Sequence, residues 1–157
     1  MKKSCVLLVI GILVCAFAHS AGKGFITLAG SEAKTERILI ASAGSAFKDE
    51  LVQGLVNSLD NGNRLVLGSD LKALRSVEPS DYRAIIILGS IKAGKADGKI
   101  RNFAQKHPGS SNVVVVNTWG GEPKAISLEL DAISSASIKE KAPGIERIIL
   151  ERLHLSE

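Results

Sequence analysis

The segment Ala84-Ile85-Ile86-Ile87-Leu88 constrains this chain more than any other. A strand with no polar residue on either face must be covered on both, as in the middle of a parallel sheet. Three further short apolar runs resemble it: Arg37-Ile38-Leu39-Ile40-Ala41, Arg64-Leu65-Val66-Leu67 and Val113-Val114-Val115-Val116. Between them the text changes to helical periodicity. Phe47, Leu51, Val52, Leu55, Val56 and Leu59 form a stripe with a 3.6-residue repeat. Ile100, Phe103, Ala104 and His107 mark a second helix, and Pro143 opens a third with Ile145, Ile148, Ile149 and Leu153 inward. Ala125 to Leu130 alternates apolar and polar residues and reads as a fifth, edge strand. Strands alternating with helices in units of this length predict a parallel sheet joined by right-handed crossovers.

A chain of 157 residues fits one such domain with a sizeable core. Aromatic residues make up 4%, so that core must be aliphatic. Met1-Lys2-Lys3 followed by the apolar stretch Cys5 to Phe17 and by Ala16-Phe17-Ala18 has the form of a signal peptide over residues 1–18, cut before His19. The alternative is an uncleaved anchor, although a membrane-spanning helix needs about 20 apolar residues. Cys15 invites lipidation, but Val14 stands where a lipobox has a small residue. The expectation is an exported protein, periplasmic or otherwise extracytoplasmic, touching a membrane only if the leader is uncleaved or lipidated. Cys5 and Cys15 both lie in the leader, so the mature chain would hold no disulfide, thiol nucleophile or zinc-thiolate site. Without Lys2 and Lys3 the formal charge falls from +4 to +2, which gives no reason to expect nucleic acid as a partner. Residues 19–36, rich in Ala, Gly, Ser and Lys, read as a linker, with Phe25-Ile26-Thr27-Leu28 a short docking segment; residues 37–157 form the domain.

Parallel sheets place ligands at the carboxyl ends of their strands, near the switch point in strand order. Three loops meet that description: Ser42 to Ala46, Gly89 to Lys95 and Asn117 to Gly121. Each is rich in Gly or other small residues, which strand-to-helix turns require in any case.

The segments RILIASAGSAFKDELVQGL, DYRAIIILGSIKAGK and NVVVVNTWGG resemble, in order and rough spacing, the phosphate loop and the two flavin-flanking loops of the flavodoxin-like family. The resemblance runs from Arg37 to about Leu155. It implies a doubly wound, mostly parallel five-stranded sheet with helices on both faces, and FMN as cofactor. It places the phosphate on Ser42, Ala43, Gly44, Ser45 and Ala46. One side of the ring would lie on Ser90, Ile91, Lys92, Ala93 and Gly94, the other on Thr118, Trp119, Gly120 and Gly121. The physical basis at the first loop is a helix N-terminus whose open amides and dipole stabilise an anion. The family's pattern has three hydroxyl residues there; Ala41, Ala43 and Ala46 stand in their places, with Ser42 and Ser45 adjacent, and only Gly44 matches. Where an aromatic residue often stacks on the ring, this chain has Lys92, leaving Trp119 or a rearranged Tyr82 as the stacking surface.

Two other motifs compete. Gly89 to Lys95 fits G-x-x-x-x-G-K, but Ala96 lacks the hydroxyl that a P-loop uses to hold Mg²⁺. Asp131-Ala132-Ile133-Ser134-Ser135-Ala136-Ser137 resembles the sequence that takes FMN covalently in exported proteins, with Ser137 as acceptor and Ser135 replacing a glycine; the plain alternative is a Ser-rich loop capping a helix. Three scattered histidines make no metal site. Two functions follow. One is FMN-dependent electron transfer, or reduction of a small acceptor, with a redox partner protein. The other is a non-enzymatic binding or structural domain that has lost FMN.

Overall fold

The computed structural model describes residues 24–60, 62–120 and 128–155. The expected leader, Gly121 and the first half of the expected edge strand lie outside these residues. Six strands run side by side in the order β1-β3-β2-β4-β6-β7: β1 (Phe25–Ala29), β2 (Glu36–Ser42), β3 (Arg64–Asp70), β4 (Ala84–Lys92), β6 (Val113–Trp119) and β7 (Asp131–Ala136). A two-residue strand, β5 (Lys95–Ala96), folds back on β4. The strands β3, β2, β4, β6 and β7 are parallel to one another, and β1 is antiparallel to β3. Counted along the chain, the parallel five stand in the order 2-1-3-4-5, that of the flavodoxin-like doubly wound fold. The fold is flavodoxin-like.

Each face of the sheet has its own core. Alternate residues of the central strands, Ile38, Ile40, Ile86, Leu88, Val114 and Val116, pack beneath helices α1 (Ala46–Leu59) and α3 (Ala142–Arg152). The intervening residues Leu39, Ile85, Ile87, Val113 and Val115 pack beneath α2 (Gly98–Lys106) and beside the 3-10 turn Ala73–Ser76. Ile85, Ile86 and Ile87 are fully buried, which is what the unbroken apolar run requires. Each such side chain contributes about 1.5–3 kcal/mol of burial.

The stretch read as a linker is partly sheet: Phe25–Ala29 forms β1 against β3. Gly68 permits this, because Leu28 lies over its bare Cα, where a Cβ would come within 2.9 Å of Leu28 Cδ1. The chain then turns at Gly30, whose φ is +80° and whose missing Cβ would lie 2.0 Å from the Arg64 carbonyl oxygen. Arg64, itself buried, binds Glu36 at 3.1 Å and ties the amino ends of β2 and β3.

The fifth parallel strand is Asp131–Ala136 rather than Ala125 to Leu130; residues 128–130 are not strand, and 125–127 lie outside the described residues. Five of its six residues are polar or alanine, so its periodicity is faint, and its place is set by pairing with β6. Both expected loops on β4 and β6 are shorter than expected. Ser90, Ile91 and Lys92 continue β4, and Asn117, Thr118 and Trp119 continue β6. Among the described residues no helix is long and apolar enough to cross a membrane.

Candidate functional site

The switch point lies at β2. From it the chain reaches β3 on one side through α1, while β4 flanks the other side. An open cleft of about 670 Å³ occupies this carboxyl edge. It is lined by Ser42, Ala43 and Gly44 after β2, by Asp70, Leu71 and Lys72 after β3, and by Ser90 and Lys92 on β4. Lys95 and Ala96 of β5 and the first turn of α2, from Asp97 to Arg101, complete it.

The first loop is built by its serines. Ser45 caps α1, accepting the Lys48 N–H at 3.3 Å, and Ser42 Oγ accepts the Gly44 N–H at 3.1 Å. Gly44 has φ +72°, and the Ala43 N–H donates to the Leu88 carbonyl at 2.9 Å, holding the loop against β4. Helix α1 keeps the amides of Ala46 and Phe47 as its open N-terminal donors.

Beneath this loop runs Lys48, only 2% exposed. Its ammonium donates to Ser90 Oγ at 2.9 Å and to Ser45 Oγ at 3.3 Å, linking α1 to β4. Burial pushes its pKa below the usual lysine value; the Asp49 carboxylate pulls it back up and the Lys92 ammonium pushes it down.

The second loop is a hairpin. Ala93 and Gly94 both have positive φ, 48° and 74°, the conformation of a two-residue turn matched to strand twist, and Ile91 pairs with Ala96. Lys92 and Lys95 are register partners at its tip. The strand–loop–helix geometry of a P-loop is therefore absent here. Asp97 caps α2 through the Lys99 N–H at 2.8 Å.

Among the described residues five cations line the cleft: Lys72, Lys92, Lys95, Lys99 and Arg101. The two acids are already engaged, Asp70 accepting the Lys72 N–H at 2.7 Å and Asp97 capping α2 3.6 Å from the Lys99 ammonium. The potential over the cleft is positive.

The structure thus brings Ser42, Ala43 and Gly44 of the first loop together with Ser90 and Lys92 of the second; Ser45, Ala46, Ile91, Ala93 and Gly94 do not line the cleft, and neither does the third loop where it is described. Thr118 is buried and its hydroxyl donates to the Gly89 carbonyl at 3.2 Å. Trp119 is half-buried, with an indole Nε1 that is shielded and unpartnered, and neither residue lines the cleft. Gly120 is exposed beside them. Tyr82 lies at the opposite, amino-terminal edge of β4, its ring 5.8 Å from the Arg37 guanidinium, so it has no access to the cleft. The segment Asp131–Ala136 is a strand and not a Ser-rich loop. Ser137 follows it, exposed at the carboxyl edge, its N–H donating to the Trp119 carbonyl at 3.1 Å. At about 3.3 Å per strand residue, Asp131 stands about 20 Å from Ser137. Among the described residues no group of three or more His, Cys, Asp or Glu side chains could hold a metal.

Lys72, Lys99 and Arg101 are cleft residues that the loop-based reading missed. The signal was present as the basic stretch Lys92 to Arg101, with Lys72 from a distant strand end.

The cradle is a poor match for the FMN phosphate in the manner the resemblance implies. Ala41, Ala43 and Ala46 provide no hydroxyls, and the amides of Ala43 and Gly44 are spent within the protein. Among the described residues no aromatic side chain lines the cleft to stack on a flavin ring. What the cleft does offer is charge: ammonium and guanidinium groups beside the first turn of α2.

No protein-family model and no curated protein matches the sequence. Solved structures do. A flavodoxin from the domain Archaea aligns at 11% identity and a TM-score of 0.48, over 75% of this chain and 99% of its own. A variant of the Thermotoga maritima flavo-di-iron protein aligns at 13% identity and 0.44, over 76% of this chain and 36% of its own. The lysine decarboxylase of Francisella novicida aligns at 14% identity and 0.41, over 76% of this chain and 18% of its own.

Proposed function

We propose that this protein is a flavodoxin-like binding domain, without flavin chemistry, that holds a phosphate-bearing small molecule at the switch-point cleft. The observation that carries this reading is five cations around the cleft against two carboxylates that are both engaged locally. In this reading Lys92 and Lys95 on the hairpin tip neutralise the phosphate from one side and Lys72 and Lys99 from the other. Each charge-assisted hydrogen bond to phosphate is worth about 1.5–3 kcal/mol. The signal-peptide pattern of Met1 to Ala18 supports placing this activity outside the cytoplasm.

FMN-dependent electron transfer is the second reading. It is favoured by the placement of Trp119 and Ser137 at the same carboxyl edge as the cleft.

One titration separates the two. Pyrophosphate is titrated into the protein at low salt by calorimetry, with the Lys92→Glu/Lys95→Glu double variant as control. Saturable binding that weakens with salt and is lost in the variant supports the cleft assignment. FMN should then bind no tighter than pyrophosphate, with flavin fluorescence unquenched. FMN binding at least a hundredfold tighter, with quenched fluorescence, establishes the second reading in place of the first. No binding of either ligand at millimolar concentration refutes both.

A further inference from the structure

A second concavity adjoins the cleft, between α2 and the 3-10 turn Ala73–Ser76. Its volume is about 370 Å³, within the range of small-molecule sites. Its floor is apolar, made by Leu71, Leu74 and Phe103, each no more than 5% exposed. Its rim is cationic: Lys72, Arg75, Lys99 and Lys106. Lys106 is paired with Glu78, and Lys99 lies 3.6 Å from Asp97. Lys72 and Arg75 have no carboxylate partner among the described residues.

Leu71, Lys72 and Lys99 line both concavities. The charged cleft and the apolar groove are therefore adjacent, and the cations at their boundary line both. A small inorganic anion fills the first and leaves the second in water. A ligand with an apolar body attached to a phosphate fits both, its head among the lysines of the cleft and its body along Leu71, Leu74 and Phe103.

We infer that the ligand is a soluble phosphate ester carrying an apolar chain, which lies in the groove between α2 and the Ala73–Ser76 turn. This rests on the phosphate-binding reading of the cleft and adds the chemical class of the rest of the molecule. The rim cations guide the phosphate toward the junction, and the buried floor receives the chain. Charge and apolar area are complementary to one amphiphile, which neither concavity alone specifies.

The test compares methyl phosphate with octyl phosphate below its micelle concentration, using the full chain. Each methylene taken out of water is worth about a fourfold gain in affinity, so partial burial of the octyl chain should tighten binding at least tenfold. Asn102, exposed on α2 and lining the groove, is the residue to enlarge. Asn102→Trp should remove the octyl advantage and leave methyl phosphate binding and the melting temperature unchanged.

The outcomes separate cleanly. Failure of both esters to bind refutes the phosphate reading itself. Equal affinity for the two esters leaves that reading standing and refutes the groove. A tenfold octyl advantage that survives Asn102→Trp also refutes the groove. A further arm uses vesicles with a quarter of their lipid anionic: binding to vesicles without an octyl advantage identifies a membrane surface as the partner and overturns the soluble ester.

Discussion

Replacing Lys48 by methionine removes a cation that the fold has buried with no ion-pair partner among the described residues. Two effects oppose one another. The variant loses hydrogen bonds from the ammonium to Ser45 and Ser90, about 1.5–3 kcal/mol each. It also escapes the cost of keeping an ammonium out of water, which is several kcal/mol. At neutral pH the two roughly cancel, and the variant should lie within about 1 kcal/mol of the parent.

The pH dependence then isolates the charge. Burial lowers the folded-state pKa of Lys48 below the ordinary lysine value of 10.5 that applies to the unfolded chain. Between the folded pKa and 10.5 the unfolded chain binds more protons than the folded one, so the parent gains stability as pH rises. The slope in that window is positive, with an upper bound of about 1.4 kcal/mol per pH unit for one proton, and it vanishes below the folded pKa and above 10.5. Urea unfolding followed by circular dichroism at steps from neutral pH to 10.5 measures it. The difference between parent and Lys48→Met cancels the other titrating groups. That difference should move in favour of the parent as pH increases. A difference that stays flat, or moves the other way, refutes the claim that Lys48 is desolvated in the native state.

Two further predictions concern the turns that frame the sheet and the site. Gly30→Ala places a methyl 2.0 Å from the Arg64 carbonyl oxygen at a φ of +80°, and should cost about 2–4 kcal/mol in urea unfolding. Gly44→Ala, at φ +72° with nothing within 4 Å, should cost only about 1–2 kcal/mol, and equal losses at the two positions would show that the close approach at Gly30 does not exist. Ser45→Ala removes the cap of α1 and should lower stability by about 1 kcal/mol in the same assay; no change would mean that the cap does not form.

Strands β2, β3, β4 and β6 were readable because unbroken Ile, Leu and Val runs have one physical solution, burial on both faces. Helix α1 was readable for a similar reason, with Leu51, Leu55 and Leu59 repeating at helical spacing. Strands β1 and β7 were not. Neither FITLA nor DAISSA carries enough apolar periodicity, and each becomes a strand by pairing with a neighbour already in place. The candidate site divides the same way. Ser42 to Ala46 and Lys92 were visible as loop residues beside a strand end. The burial of Lys48 was hidden: its position, three before Leu51 and seven before Leu55, lies on the inward stripe, but a lysine in the first turn of a helix reads as solvated.

By itself the sequence determined the layered α/β body, its aliphatic core and the rim on which ligands sit, since these follow from local periodicity and chain order. Only the tertiary structure decided which charges share a cleft. Lys72, Lys92, Lys95, Lys99 and Arg101 come from a strand end, a hairpin and a helix start, and they meet because β3 and β4 lie on either side of β2. Proximity of that kind depends on strand order and crossover path, which no local stretch of sequence encodes.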